Sequence, residues 1–497
     1  FSWTPRFTYH GFRYVEIAGA AAKPDLEKLK GEVIYDAMPT TGRFETSDST
    51  INQVYRNAYW GLRGNYRSMP TDCPQRDERM GWLGDRAMEC IGESFMFRQA
   101  LLYEKWARDI RDSQLPDGMI PDLSPTYWPF YSENVTYPAA YLCVVDMLYN
   151  QYGDEKAVRE HYPAMKKWID YANERLVEND IVVKDVYGDW CMPPESPELI
   201  HSQDPARVTD GRLVGTSFFY RLLNMMARFA AVAGHEEDIP AYLEQAARVK
   251  DAYNRMFLNP ETGQYANNTV SAGLPSLVQG LVPDTLKQKV FDELVRRTEV
   301  DFDSHVSTGM IGMQFMMRGL SRYGRPDLAL TLATNRTYPS WGYMIDRGAT
   351  TIWELWNGDT ADPAMNSGNH LMQLGDLIAW DWENLAGIQA DPAAPGFKHI
   401  LMKPDFPQGL EWVDASYESM YGTIGSHWKR TGGGLSWSVE IPANTTATLR
   451  VPASDVSQVE ADGKPLAENP ALTDVRASDG FVTFEAGSGS YRFLVGK

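Results

Sequence analysis

The densest chemistry in this chain lies in Thr71-Asp72-Cys73-Pro74-Gln75-Arg76-Asp77-Glu78-Arg79-Met80-Gly81-Trp82-Leu83-Gly84-Asp85, with four carboxylates, two arginines and a tryptophan. Crowded carboxylates raise one another's pKa, and apolar packing raises it further, so such a stretch can keep one carboxyl protonated as a general acid. Glu78, beside Asp77 and near Trp82, suits that task. Asp72 and Arg76 suit hydrogen bonds to sugar hydroxyls. The alternative is a helix-connecting loop whose acids and arginines pair on a solvated surface.

A second stretch runs Tyr338-Pro339-Ser340-Trp341-Gly342-Tyr343 and on through Arg347-Gly348-Ala349-Thr350-Thr351-Ile352-Trp353-Glu354-Leu355-Trp356-Asn357. Glu354 is flanked by Trp341, Trp353 and Trp356, an apolar setting for an acid unless it is paired or at work. The alternative is a carboxylate satisfied by backbone N–H groups or Arg347. Hydrolysis of a glycoside needs two carboxyls, about 6.5–9.5 Å apart when a water must fit between them, and Glu354 is the candidate partner of Glu78. Three further patches are candidate sugar contacts, with loop packing as the alternative for each. They are Met365-Asn366-Ser367-Gly368-Asn369-His370, the turn Gly188-Asp189-Trp190, and Pro116-Asp117-Gly118 through Asp122 to Tyr127-Trp128.

These loops need a scaffold, and residues 46–388 supply helical periodicity for one. Asp48 or Ser49 can cap a helix through Ile51, Val54, Tyr55, Ala58 and Leu62; Asp85 opens another through Met88, Ile91 and Phe95, with a run Leu101–Ile110 after it. Further periodic runs cover 141–149, 157–176, 216–233, 239–257, 285–297, 308–318, 327–335 and 370–385. No 34- or 40-residue repeat accompanies them, so a closed ring of helix pairs fits better than a solenoid. After Ala393-Ala394-Pro395-Gly396 the pattern changes: Leu435–Ile441 and Tyr491–Val495 alternate with a period of two, and residues 389–497 read as a β-sandwich. Residues 1–45 read as a β segment, the end of a β-domain or a tail on the barrel, with a strand expected in Arg6–Gly19.

The chain has 497 residues, 43% hydrophobic and 23% charged, enough for a sizeable core and two to four domains. A net charge of −19 repels phosphate backbones, so nucleic acid is not an expected partner. No apolar run is long enough to insert in a membrane. The 15 Trp, 26 Tyr and 19 Phe are more than a core strictly needs; aromatic faces are platforms for sugar rings, and large proteins also pack aromatics as anchors. Cys73, Cys90, Cys143 and Cys191 form no C-x-x-C pair and are expected as buried thiols; with no H-E-x-x-H either, neither a metal nor any other cofactor is expected. Four cysteines fit cytoplasm or periplasm, and a periplasmic or secreted location is favoured. Oligomeric state is left open.

The motifs together resemble glycoside hydrolase family 78, the α-L-rhamnosidases. Asp72 to Asp85 is similar to that family's D-C-P-x-R-(D)-E-R-x-G-W-x-G-D, and Gly348 to Trp356 to its G-A-T-T-x-W-E-x-W. Ser367-Gly368-Asn369-His370 is similar to S-x-N-H, and Gly188-Asp189-Trp190 to G-D-W. The order along the chain agrees, and the resemblance extends to the N-terminal segment and the C-terminal sandwich. It implies a mainly α fold, an (α/α)6 barrel with a C-terminal β-sandwich and a short N-terminal β segment. It further implies release of terminal α-L-rhamnose with inversion. By motif, Glu78 is the general acid and Glu354 the general base, Glu78 being chosen over Asp77 by the E-R-x-G-W portion. Asp72, Arg76, Trp82, Asp85 and His370 would line the rhamnose subsite, with Asp77, Trp128, Asp189, Trp190, Trp341, Trp353 and Trp356 as further contacts. Leu355 stands where relatives often carry Arg, and the helix start Leu371–Asp376 is less apolar than in many; both bear on the aglycone more than on the chemistry. The expected partner is a rhamnosylated glycan or glycoside. The rival readings are a toroid glycosidase of different sugar specificity, a polysaccharide lyase and a non-catalytic sugar-binding protein. A lyase needs a basic site, whereas acids dominate both loops; a binding protein has no need of two separated carboxylates.

Overall fold

The computed structural model describes residues 2–87, 89–362 and 366–496. Met88 and Met365, which the sequence reading used, lie outside the described residues. The helices are α1 (Ser49–Gly64), α2 (Leu83–Ala87), α3 (Cys90–Met96), α4 (Ala100–Asp112), α5 (Ala139–Tyr152), α6 (Glu155–Arg175) and α7 (Gly211–Ala233). They continue with α8 (Ile239–Phe257), α9 (Val270–Val278), α10 (Lys287–Arg296), α11 (Met310–Arg322), α12 (Pro326–Thr334), α13 (Trp341–Asp346) and α14 (Leu377–Trp380).

Among the described residues, α3, α5, α7, α9, α11 and α14 touch in that order, and α14 returns to α3, closing an inner ring. Helices α4, α6, α8, α10 and α12 pack against its outside, and α1 meets α12. This is the expected (α/α)6 barrel. The two layers differ in sequence for a physical reason. An inner helix is covered on all sides, so every residue of α5 from Ala139 to Leu148 is buried. An outer helix keeps one wet face, so α6 buries Ala157, Val158, His161, Tyr162, Met165, Trp168 and Ile169 at three- and four-residue spacing. Asp48, Asp154 and Asp210 accept backbone N–H groups at the starts of α1, α6 and α7. Gly153 and Gly234 end α5 and α7 in the left-handed conformation.

Several elements depart from the sequence reading, among them α13, which no expected run covered. Helix α9, started by Thr269, was not foreseen: it is buried almost throughout and contains Gly273 and Pro275, so it has neither a polar face nor good helix propensity. The single helix expected over 370–385 is broken into a 3₁₀ turn (Met372–Leu374), α14 and a π turn (Asp381–Ala386). Gly375 (φ 55°) makes the break, where a Cβ would lie 2.4 Å from the Met313 carbonyl oxygen. Asp376 then accepts Met317 N–H and Arg318 N–H, both at 2.9 Å, tying the break to α11.

Beyond the barrel lie a seven-stranded and a five-stranded sheet. The strand Gly42–Thr46, which precedes the barrel, pairs antiparallel with Trp412–Ser419, which follows it, placing Phe44 opposite Ala415. The strand Ile388–Ala390 belongs to the five-stranded sheet. Trp428, Trp437, Phe484 and Phe493 are buried between the sheets, as alternation required. The expected strand within Arg6–Gly19 is not formed. A strand needs a neighbour for its backbone groups, and among the described residues none lies beside it. Phe7, Phe12, Tyr14 and Val15 are exposed instead. Tyr9 lies against the barrel, under the guanidinium groups of Arg79 and Arg67.

Candidate active site

The loop before α2 is pinned at its base. Asp72 and Met80 exchange contacts: Asp72 N–H donates to the Met80 carbonyl at 2.9 Å, and Met80 N–H to Asp72 Oδ1 at 2.7 Å. Beneath them Arg86, fully buried, donates to the Thr71 carbonyl at 3.2 Å and to Glu93 at 2.7 Å. The hydroxyls of Tyr66 and Tyr103 donate to the other Glu93 oxygen, each at 2.6 Å. A buried charge pair with this many donors fixes position more than it adds stability. The N-terminal segment closes over the loop, with Arg79 donating to the Tyr9 carbonyl and Gly11 packed on Gln75.

The second loop is held like a short ladder. Glu354 N–H donates to the Ser367 carbonyl at 2.9 Å, Ser367 N–H to Glu354 Oε2 at 2.7 Å, and His370 N–H to the Ile352 carbonyl at 2.7 Å. Gln75 Nε2 reaches Ser367 Oγ at 2.5 Å, joining the two loops. Arg76 joins them through charge. Its Nη2 lies 2.7 Å from Glu78 Oε2 and 3.7 Å from Asp72 Oδ2; its Nη1 lies 2.9 Å from Glu354 Oε2. One guanidinium thus spans both candidate catalytic carboxylates, which places the bonded oxygens within about 8 Å of each other.

The environments of the acids differ. Glu78 is the more exposed of the pair, its Oε1 accepting Trp82 Nε1–H at 2.7 Å. Glu354 is nearly buried; burial raises its pKa, and Arg76 and the Ser367 N–H oppose the rise. Its Oε1 accepts no hydrogen bond among the described residues and is free to meet a water. Asp72 is pushed up to about 7 by burial and by the charge of Glu78. Asp85 is driven well above the carboxylate range by burial and then by Asp72; it accepts the Tyr137 hydroxyl at 3.0 Å. His370 Nδ1 accepts Leu371 N–H at 3.1 Å, so Nε2 carries the proton, 3.4 Å from Asp85 and 4.0 Å from Asp72. Burial, with Arg76 and Arg86 nearby, holds its pKa well below the usual value, so these contacts are those of a neutral imidazole.

The walls are aromatic. Trp82 meets Phe130 and Tyr137 edge-on, Tyr137 stacks on Tyr187 at 4.1 Å, and Tyr187 meets Trp190. Tyr127, Trp128 and Phe130 stand exposed on one loop beside Trp82. Its base is closed by Asp122, which accepts Ser132, Asn134 and Tyr187.

Several residues expected at the subsite are placed elsewhere. The Asp77 side chain is fully solvent-exposed and turns away. Asp189 is a buried helix cap: its carboxylate accepts Gly309, Ile311 and Gly312 N–H at 2.9, 3.0 and 3.1 Å, and the Ser271 hydroxyl. Trp341 and Trp356 are core residues in edge contact, and Trp341 donates to the Gln373 carbonyl at 2.9 Å. Trp353 is buried against Gly358. A tryptophan near a catalytic acid in sequence need not face the same cavity, because a loop buried in the barrel mouth needs anchors beneath it. Sequence reasoning in turn missed Tyr137 and Tyr187, although Tyr187 adjoins the Gly188-Asp189-Trp190 turn. It also missed Gln75, which lies inside the first motif.

The four cysteines are buried and unbridged. Ligand-type atoms of Asp72, Cys73 and Glu78 lie within 4.8 Å of one another. A cation does not suit them, because Arg76 already brings a positive charge to both acids and burial keeps the Cys73 thiol protonated. Among the described residues no helix is long and apolar enough to cross a membrane.

Comparison with known proteins places the chain in a family. The chain matches the bacterial alpha-L-rhamnosidase 6 hairpin glycosidase domain over residues 39–385. It matches the C-terminal domain of such enzymes over 387–464 and their concanavalin-like domain over 1–35. It is 33% identical to an alpha-L-rhamnosidase of Streptomyces avermitilis, over 99% of this chain and 46% of that protein. It is 31% identical to one of Formosa agariphila, over 99% of this chain and 53% of that protein. The chain therefore spans about half the length of these relatives. The alpha-L-rhamnosidase structure from Dictyoglomus thermophilum superposes with a TM-score of 0.92 at 33% identity, covering 100% of this chain and 55% of that one. The Streptomyces avermitilis enzyme complexed with L-rhamnose gives 0.90 at 33% identity, covering 99% and 46%. With residues 39–385 matched to the six-hairpin domain and relatives 31–33% identical along nearly its whole length, the chain belongs to the bacterial α-L-rhamnosidases of glycoside hydrolase family 78.

Proposed function

We propose that this chain carries the catalytic site of an inverting α-L-rhamnosidase that releases terminal α-L-rhamnose from a glycan or glycoside. The observation that carries the reading is the pair Glu78 and Glu354, on separate loops and sharing Arg76. Support for the sugar comes from the relative complexed with L-rhamnose. Glu78 gives its proton to the glycosidic oxygen as the C1–O bond breaks. Glu354 Oε1 takes a proton from a water attacking C1 on the opposite face, and the anomeric configuration inverts. The reach of Arg76 admits the carboxyl spacing that inverting enzymes use. In the described geometry both Glu78 oxygens accept hydrogen bonds, so Oε2 must exchange Arg76 for a proton before it can donate. An entering sugar provides the exchange: its hydroxyls offer the guanidinium new acceptors, with Asp72, Asp85 and His370 beside it. Protonated Asp85 and neutral His370 can each donate to a hydroxyl. No cofactor takes part.

One observation favours the opposite assignment of roles: burial raises the pKa of Glu354, as suits an acid. Leaving-group dependence tests the choice. An aryl rhamnoside has a good leaving group and needs little protonation; an alkyl rhamnoside needs it fully. Glu78→Gln should lose about 10²–10⁴-fold on the alkyl substrate and far less on p-nitrophenyl α-L-rhamnopyranoside, whereas Glu354→Gln should lose comparably on both. The reverse pattern exchanges the roles. A folded wild type inert on aryl and natural rhamnosides, yet active on another aryl glycoside, overturns the sugar.

A further inference from the structure

At the opposite end of the barrel from these loops, where the inner helices meet the sandwich, lies a cavity of about 870 Å³. Along α11, whose start Asp189 caps, the cavity begins at Gln314, about 6 Å from that start, and runs about 12 Å to Arg322. The cavity holds far more than isolated waters, which take about 30 Å³ each.

Its lining is charged, and the charges do not cancel. Arg228 pairs with Asp146, and Arg318 with Asp376 at 3.3 Å and Glu383 at 3.1 Å. Asp405, the remaining acid, accepts Asn384 at 2.9 Å, and burial raises its pKa toward the neutral form. Arg221, Arg322, Lys403 and Arg450 are left with no carboxylate within ion-pair distance among the described residues. Arg450 stacks on Phe481, and Arg322 has a long contact to the Val278 carbonyl at 3.4 Å and lies 5.9 Å from the Tyr323 ring centroid. Burial first, then Arg450, lowers the Lys403 pKa, against the opposing charges of Glu383 and Asp405. Among the described residues Gln279 Nε2 is a donor without a partner, and Gln279 Oε1 and Gln314 Oε1 are acceptors without one, suited to hydroxyls rather than to an anion. In a chain of net charge −19, a surplus of cations gathered in one cavity, Arg322 at its exposed rim and Arg221, Lys403 and Arg450 half-buried, together with the unpartnered Gln279 Nε2, calls for an acceptor.

We propose that this basal cavity binds a multiply charged oxyanion, a phosphate or sulfate group, free or borne by a small sugar. Arginine forks and a lysine supply the donors such a group needs, and the amides would hold the rest of a larger ligand. The site is independent of the rhamnosidase reading.

Thermal unfolding and titration calorimetry test it, with inorganic phosphate and glucose 6-phosphate as probes and chloride at matched ionic strength as control. Phosphate should raise the melting temperature saturably where chloride does not. Arg221→Gln and Arg322→Gln, each still folded by circular dichroism, should weaken binding about tenfold apiece. Tighter binding of the sugar phosphate, lost in both variants, supports a phosphosugar ligand; equal binding supports the free anion. A shift equal to that of chloride, or affinities unchanged in both variants, overturns the proposal.

Discussion

Replacing Arg76 by glutamine removes the one cation that touches both candidate catalytic carboxylates. Glu354, nearly buried, then keeps a single donor, the Ser367 N–H at 2.7 Å. Burial already raises its pKa, and Arg76 is the largest influence opposing the rise. A hydrogen bond to a charged group is worth about 1.5–3 kcal/mol, and one pKa unit corresponds to about 1.4 kcal/mol. Loss of the contact should therefore raise the Glu354 pKa further. A general base works only when ionised, so the acidic limb of the kcat profile should move to higher pH, by about 1–2 pH units. The assay is the pH dependence of kcat on p-nitrophenyl α-L-rhamnopyranoside for wild type, Arg76→Gln and Arg76→Lys. The lysine variant keeps a charge but cannot fork between two carboxylates, so its limb should fall between the others. An Arg76→Gln enzyme of reduced kcat whose acidic limb has not moved would refute the assignment of Glu354 as the base held by Arg76.

Three further outcomes follow from the geometry. Asp189→Ala strands three backbone donors at the start of α11 and should cost about 2–4 kcal/mol in denaturant unfolding, with KM for the aryl rhamnoside unchanged; a raised KM without lost stability would make Asp189 a sugar contact. Asp72, raised to about 7, keeps its proton in the folded state where the unfolded chain releases it near 4, so its contribution to stability declines as pH rises between those values. Asp72→Asn should accordingly gain stability relative to wild type from pH 5 to pH 8, measured by urea unfolding at both, and the opposite trend would contradict the raised pKa. Trp128→Ala should raise KM about three- to tenfold for rhamnosides with a flat aromatic leaving group and leave methyl rhamnoside unaffected, because Trp128 is exposed on the loop whose Phe130 packs on Trp82, the hydrogen-bond partner of Glu78. Equal effects on both substrates would remove it from the aglycone side.

The candidate site was easier to read in the sequence than the scaffold's details. Asp72, Arg76, Glu78 and Trp82 are legible because one loop carries them within eleven residues, and their contacts are local: Trp82 reaches Glu78 across four positions. The bridge from Arg76 to Glu354 spans 278 positions, and nothing local encodes it. Asp189 shows the limit in the other direction. An acid beside a tryptophan in a Gly-Asp-Trp turn looks like a sugar contact, yet its partners are helix N–H groups more than a hundred residues on, invisible without the fold. Trp341 and Trp356 were misplaced for a related reason, since composition does not say which side of a buried loop faces the cavity. Outer helices such as α6 announce themselves by their stripe; α9, buried nearly all round, has none. The N-terminal Phe7 to Ile17 alternation reads as a strand, but pairing is a property of neighbours.

The central claim, hydrolysis of an α-L-rhamnoside by single displacement between Glu78 and Glu354, is tested most directly by proton NMR of the first sugar released from p-nitrophenyl α-L-rhamnopyranoside. β-L-Rhamnose should appear first and then mutarotate, and the signal should be nearly lost in folded Glu354→Gln. Initial release of α-L-rhamnose, or near-full turnover by Glu354→Gln, would contradict the account.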